Sequence, residues 1–139
     1  MVKDKRSGAG CPVVHALDIF GDKWSLVVVR ELLLNGPRSY GDLIKIEEGI
    51  STNILASRLK NLTGHGVLLK EKKVGGQDSF SIYKLTKKGF DLSSIIFEMI
   101  KWSGTYDANP DRNSCIVDRV RYDENGLLEE ISDLWEKFQ

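Results

Sequence analysis

The chain has 139 residues, and its 20 Lys and Arg balance its 20 Asp and Glu, so the formal net charge is zero. A chain of this length with 41% apolar and 29% charged residues is typical of one globular domain and not of a disordered segment. No apolar run approaches the roughly 20 residues that a membrane-spanning helix needs, which predicts a protein with no membrane partner.

The first ten residues are polar and basic, without an apolar stretch. They do not have the pattern of a secretory signal, so we expect a flexible basic arm over residues 1–10 of a cytoplasmic protein. Two cysteines far apart in the chain and two histidines do not have the spacing of a structural zinc site or a disulfide framework. The sequence therefore predicts no metal, no cofactor and reduced thiols.

Zero net charge conceals a division along the chain. Residues 1–105 carry 16 basic and 11 acidic side chains, whereas residues 106–139 carry 4 basic and 9 acidic ones. Within residues 51–73 five basic side chains face a single acidic one, Glu71. Such a local positive excess favours a polyanionic partner for this stretch.

Apolar residues recur at helical spacing in four segments of the first half of the chain. Asp22, Ser39 and Ser51 each stand where a helix would begin, and their side chains can accept hydrogen bonds from unpaired backbone N–H groups. The predicted helices cover residues 12–20, 23 to 33 or 34, 40–46 and 52–64.

The pattern then changes to alternation. Two strands are predicted over residues 67–74 and 79–85, joined by a glycine-rich turn, which is a β-hairpin. Thr86 is expected to cap one long helix reaching Trp102. Residues 105–125 are expected to form an acidic linker, with a short strand over 115–120 as an option, and an apolar stripe predicts a last amphipathic helix over 126–139.

Helices followed by a hairpin and another helix are the order of a winged helix-turn-helix. Specific sequences within that order resemble the HxlR family of bacterial and archaeal transcriptional regulators over about residues 11–104. The matching segments are Cys11-Pro12-Val13, Gly21-Asp22-Lys23-Trp24, Glu31-Leu32-Leu33, Tyr40-Gly41-Asp42-Leu43, Gly49-Ile50-Ser51, Leu55 through Leu62, Gly66-Val67-Leu68, Tyr83 through Gly89, and Trp102. The tip Gly75-Gly76-Gln77-Asp78 and the long tail after Trp102 depart from the family pattern.

The resemblance implies a mostly helical α+β fold, a winged helix-turn-helix with a two-stranded wing and extra N- and C-terminal dimerisation helices. It implies a DNA-binding domain over 11–104 and a homodimer that binds double-stranded DNA with two recognition helices about one turn apart. It also implies transcriptional regulation without enzymatic activity, and it favours a repressor.

Residues 51–64 would be the recognition helix in the major groove. Asparagine can pair with adenine, whereas basic side chains more often contact phosphates. An ordinary solvated helix face is the alternative, and for Arg58 a structural ion pair is an equal one. The expected DNA-contacting residues of this helix are Ser51, Thr52, Asn53, Ala56, Ser57, Arg58 and Lys60.

Lys70, Lys72 and Lys73 lie on the first strand of the expected wing, where they can contact DNA phosphates. The alternative is that these lysines only keep the strand soluble. Trp24 and Trp102 lie among apolar residues and are expected in the core. The long helix and the stripe of residues 127–138 have no other core to cover, so we expect them to dimerise.

Cys11 precedes Pro12 at a predicted helix N-terminus, where the helix dipole favours a thiolate, and His15 follows four residues later. In thiol-sensing members of the HxlR family, a cysteine at this position reacts with electrophiles or oxidants. The resemblance therefore implies redox sensing at Cys11, with Cys115 or the other subunit's Cys11 as disulfide partner. A packing role for Cys11, or a small-molecule effector bound between subunits, are the alternatives.

Two other classes of function compete with these. A winged helix can act as a protein-protein interaction module without binding DNA, although the basic stretch 51–73 argues against it. A thiol enzyme using Cys11 and His15 would need an orienting group and a substrate pocket, and no recognisable one is present.

Overall fold

The computed structural model describes residues 10–75, 78–109 and 114–139. The fold is mostly helical, with one small antiparallel sheet. The elements in chain order are α1 Pro12–Phe20, α2 Lys23–Asn35, β1 Arg38–Ser39, α3 Tyr40–Leu43, α4 Thr52–Gly64, β2 Leu68–Gly75, β3 Asp78–Leu85, α5 Lys87–Phe90, α6 Ser93–Tyr106, α7 Ser114–Tyr122 and α8 Glu124–Lys137.

The predicted caps are all present. The Asp22 carboxylate accepts the backbone N–H of Trp24 at 2.9 Å and begins α2. Ser39 forms a reciprocal capping box at α3, Ser51 begins α4, and Thr86 begins α5. These side chains bond N–H groups that have no partner inside their helices, which explains why the helices begin where the sequence predicts.

The sheet has three strands in the order β1-β3-β2, so the prediction of a two-stranded hairpin is incomplete. In the hairpin, β2 and β3 pair from Leu68 opposite Leu85 to Gly75 opposite Asp78. The additional strand β1 is only two residues long and pairs with the other edge of β3. A two-residue strand has no alternating pattern, which is why the sequence did not reveal it.

The core lies between α2, α4 and the root of the hairpin. Val28, Val29, Leu55 and Leu62 are fully buried there. Half-buried Trp24 packs against this cluster, as predicted. None of the described helices is long and apolar enough to cross a membrane.

The long helix expected from Thr86 to Trp102 is divided into α5 and α6. The N–H of Leu92 bonds the carbonyl of Gly89, three residues back, so the chain tightens at this point. Leu92 is buried and has no capping side chain before it. Ile96 and Phe97 of α6 enter the core, whereas Trp102 is 67% exposed. The expectation that Trp102 packs in the core is wrong.

The optional strand over 115–120 is also wrong, because these residues lie in α7. The same helix occupies part of the segment 105–125 that was predicted to be a linker. Val120 of α7 is fully buried, and Arg119 forms ion pairs with Asp123 and Glu130 at 3.4 and 3.2 Å. Gly104 permits close packing of α6 on α7, because a Cβ atom there would lie 2.4 Å from Val117. The β-branched residues in this segment favour a strand locally, and tertiary packing overrides that preference.

The last helix, α8, packs within its own subunit. Leu127 and Ile131 are 5% and 3% exposed, in the core cluster. The indole N–H of Trp135 donates to the carbonyl oxygen of Leu85 at 2.9 Å, and its ring stacks on Phe90 with 5.0 Å between centroids. The expectation that this stripe lacks a core within its own subunit is therefore wrong, because α2 and the end of β3 supply the surface it covers.

Candidate nucleic-acid interface

The helix α4 is amphipathic. Its buried side, Leu55, Leu59 and Leu62, packs on α2 and β2. The opposite side is exposed and carries small, polar and basic side chains that can approach another molecule closely. The residues exposed on this side are Thr52, Asn53, Ala56, Ser57 and Lys60.

Two polar contacts hold the flank of α4 against the corner between α1 and α2. A guanidinium nitrogen of Arg58 lies 3.5 Å from a carboxylate oxygen of Asp22. The Asn61 amide donates to the carbonyl oxygen of Ile19 at 3.1 Å. Burial raises the pKa of Asp22, but hydrogen bonds from Ser25 and Trp24 outweigh this, and with the charge of Arg58 they hold the pKa below its usual value. The geometry favours the structural ion pair for Arg58.

The segment leading into α4 is also fixed. The Tyr40 hydroxyl donates to the carbonyl oxygen of Thr52 at 3.1 Å, which pins the first turn of α4 to α3. Arg30 on α2 donates two hydrogen bonds to the Glu48 carboxylate, at 2.9 and 3.0 Å. These bonds lower the pKa of Glu48 and secure the loop between α3 and α4. The Ser51 hydroxyl accepts a hydrogen bond from the backbone N–H of Ile54 and caps α4.

The three predicted wing lysines do not share a face. Neighbouring residues of a strand point to opposite sides, so Lys70 and Lys72 lie on one face and Lys73 on the other. Lys73 is 3.9 Å from Glu71 on its own face. Ser81, opposite Lys72, joins the face of Lys70 and Lys72. The sequence analysis missed Ser81, which the cross-strand register alone reveals.

Cys11 is exposed and stands directly before α1, and its side chain makes no capping hydrogen bond. His15 is exposed on the same helix. Cys115 is also exposed, near the start of α7. Lys3, Lys5 and Arg6, which belong to the expected basic arm, lie outside the described residues.

Large apolar side chains are exposed on α1 and on the outer side of α6. Val13 and Leu17 of α1 are 65% and 53% exposed, and Met99 and Tyr106 of α6 are 50% and 72% exposed. The Tyr106 ring also lies 5.5 Å from that of Trp102. We call these exposed side chains of α1 and α6, together with the exposed Trp102, the α1/α6 surface.

A three-stranded sheet whose hairpin flanks an amphipathic, capped helix, preceded by a short helix and a turn, defines a winged helix-turn-helix protein. Comparison with known families identifies which one. The model of the HxlR-like helix-turn-helix family matches residues 19–111, and the chain belongs to that family. It is accordingly a transcriptional regulator of the helix-turn-helix type and not an enzyme.

Individual relatives agree. The chain is 33% identical over 95 residues to sll1512, an uncharacterised HTH-type transcriptional regulator of Synechocystis, covering 68% of this chain and 69% of that one. The solved structure of PA1607, a proposed transcription factor, matches with a TM-score of 0.67 and 34% identity, covering 78% of this chain and 74% of that one. The reduced form of the Bacillus subtilis regulator YodB matches with a TM-score of 0.59 and 26% identity, covering 70% and 95%. A diamide-treated YodB structure matches with a TM-score of 0.56 and 27% identity, covering 69% and 94%.

Proposed function

We propose that the protein is a homodimeric, sequence-specific repressor that binds double-stranded DNA and responds to thiol-reactive or oxidising signals through Cys11. One observation carries the DNA-binding part. The exposed side of α4 presents Asn53 and Lys60 while the buried side and the Arg58 and Asn61 contacts fix the helix in place. A rigid helix with a polar outer side has the form that enters a major groove.

The contact residues divide by chemistry. Thr52, Asn53, Ala56 and Ser57 face base edges, with Asn53 pairing with adenine. Lys60 and the wing lysines Lys70 and Lys72 contact phosphates, which strengthens binding to any sequence. Ser51 and Arg58 support the helix, and Lys73 lies on the face of the wing opposite to Lys70 and Lys72.

The α1/α6 surface supports the homodimer. Val13, Leu17 and Trp102 are large apolar side chains that a dimer contact would remove from water. A two-fold axis through this surface would place two copies of α4 on one side of the dimer, where each reads one half-site about 34–36 Å from the other. A dimer bound across a promoter would exclude polymerase, which is the basis for proposing repression.

The experiment is a titration of the full-length protein with duplexes selected by footprinting on the DNA that flanks its own gene. Asn53→Ala should weaken binding to the preferred site by about 1–3 kcal/mol and leave binding to random DNA nearly unchanged. Asn35→Ala is the matched control, since Asn35 is exposed at the end of α2. Equal losses on both DNAs would refute base recognition by Asn53.

The thiol response is tested by diamide treatment of wild type, Cys11→Ser and Cys115→Ser, followed by DNA titration. Oxidation should weaken operator binding by wild type and Cys115→Ser, while Cys11→Ser stays unchanged. The exposure of Cys11 at the beginning of α1, which carries the α1/α6 surface, supports this, as does the similarity to YodB. Oxidised wild type that binds as tightly as reduced wild type would refute the sensor.

A further inference from the structure

A cleft of about 700 Å³ opens between α2, α6 and α7. It lies apart from the exposed side of α4 and from the wing, and the proposed DNA contacts do not use it. Its volume is that of sites that hold drug-sized molecules.

The cleft has an apolar floor. Four apolar side chains line the cleft and also pack against the core: Leu26 and Val27 of α2, Ile100 of α6 and Ile116 of α7. Each of these side chains is only half-buried, so part of its surface faces the cleft. An apolar body of matching size would remove this surface from water, which is favourable at about 25 cal/mol per Å².

The rim of the cleft is charged, and carboxylates are in excess. Three cations stand on it, and one of them, Arg30, is engaged by two hydrogen bonds from its guanidinium to Glu48 and lies 3.7 Å from Glu31. Arg30 and Glu48 therefore cancel each other's charge, and the other four carboxylates of the lining stand against two cations. The carboxylates that line the cleft are Glu31, Glu47, Glu48, Asp107 and Asp118, and the cations are Lys23, Arg30 and Arg121.

We propose that this cleft is an effector site for amphipathic organic cations, molecules with an apolar body and one positive charge. The floor would bind the body, and the excess of carboxylates would favour a positive over a negative charge at the mouth. Among the described residues no cluster of metal-ligating side chains is present, so the acidic rim is not explained by a metal site.

The position of the cleft gives the ligand a way to act. One wall is α2, which also packs on α4, and another is α6, whose Met99 lines the cleft and also belongs to the α1/α6 surface. A molecule wedged between α2 and α6 would change the angle between the DNA-contacting part and the proposed dimer contacts. This consequence for DNA affinity rests on the proposed function, whereas cation binding itself does not.

Two probes of the same size and shape separate charge from hydrophobicity: tetraphenylphosphonium and tetraphenylborate. Calorimetric titration of the full-length protein without DNA should show one tetraphenylphosphonium per chain with micromolar affinity, which drug-sized ligands commonly reach. Tetraphenylborate should bind at least tenfold more weakly. Equal binding of the two ions, or no binding of tetraphenylphosphonium at millimolar concentration, would overturn the proposal.

Variants locate the site. Glu31→Gln and Asp118→Asn should each weaken tetraphenylphosphonium binding about two- to fivefold, as expected for partly solvated charge pairs. Val27→Phe should weaken it more by filling the floor, and circular dichroism checks that this variant folds. The matched control is Glu129→Gln, on an exposed position of α8, which should leave binding unchanged. Binding that survives all three cleft variants would overturn the location.

A second copy of the chain is the other occupant that an apolar cleft could take. If tetraphenylphosphonium binding weakens as protein concentration rises and sedimentation shows that the ion dissociates the dimer, the cleft is part of the dimer interface and the proposal is wrong. The titration of tetraphenylphosphonium contains no DNA, so it does not depend on whether Asn53→Ala loses operator binding. Either proposal can therefore fail without the other.

Discussion

The C-terminal helix offers the sharpest test of the fold, because its apolar stripe can serve either its own subunit or a dimer. Leu127 is 5% exposed and lies in the core, so Leu127→Ala would leave a cavity that the surrounding side chains fill only partly. Such substitutions cost about 2–5 kcal/mol in free energy of unfolding. With a urea dependence of about 1–3 kcal/mol per molar, the unfolding midpoint should fall by about 1 M or more.

The matched control is Leu17→Ala, the same change on the α1/α6 surface, where the side chain is 53% exposed. Both variants are unfolded with urea at several protein concentrations, and their dimer dissociation is measured by sedimentation. Leu127→Ala should lower the free energy of unfolding equally at every protein concentration and leave the dimer dissociation constant unchanged. Leu17→Ala should raise the dimer dissociation constant and leave the stability of the single subunit unchanged. If Leu127→Ala instead dissociates the dimer without destabilising the subunit, the packing of α8 on its own subunit is wrong.

Three further predictions follow from individual contacts. Lys72→Ala should make the log-log salt dependence of DNA binding shallower by about 0.9, while Lys73→Ala on the opposite wing face should not; equal effects would contradict the assignment of faces. Asp22→Ala should cost about 0.5–2 kcal/mol at neutral pH, measured by urea unfolding. Since the folded pKa of Asp22 is lowered, its contribution is complete above the unfolded pKa of about 3.9 and is lost as the pH falls through the folded value, so the gap from wild type should close in acid. Trp135→Phe keeps an aromatic ring near Phe90 but leaves the Leu85 carbonyl without its donor, which should cost about 1–3 kcal/mol; an unchanged unfolding midpoint would show that the hydrogen bond contributes nothing.

The parts of the fold that the sequence predicted correctly are those with a local physical signal. Caps such as Asp22 and Ser51 fix helix starts, and the polar side of α4 follows from helical spacing. The parts that it missed depend on distant partners. Residues 114–122 become helical because α6 and α8 cover them.

The candidate interface shows the same limit. Residue type and spacing on α4 were enough to propose Asn53 and Lys60. Whether Arg58 faces DNA or Asp22 depends on the corner between α1 and α2, more than thirty positions earlier in the chain. For the wing, the lysines were visible in the sequence, but the separation of Lys72 from Lys73 required the strand register.

The proposed division of α4 into outward DNA-contacting residues and supporting residues has a practical consequence for redirecting the protein to a new operator. The outward positions Asn53, Ala56, Ser57 and Lys60 can be randomised as a set, because none of them supports the helix. Transplanting the whole helix from a relative is a different operation. A transplanted helix without Arg58 and Asn61 would lose the contacts to Asp22 and Ile19, so its outward residues would be presented at a different angle. A library confined to the four outward positions should therefore retain folded, DNA-binding proteins far more often than helix swaps do.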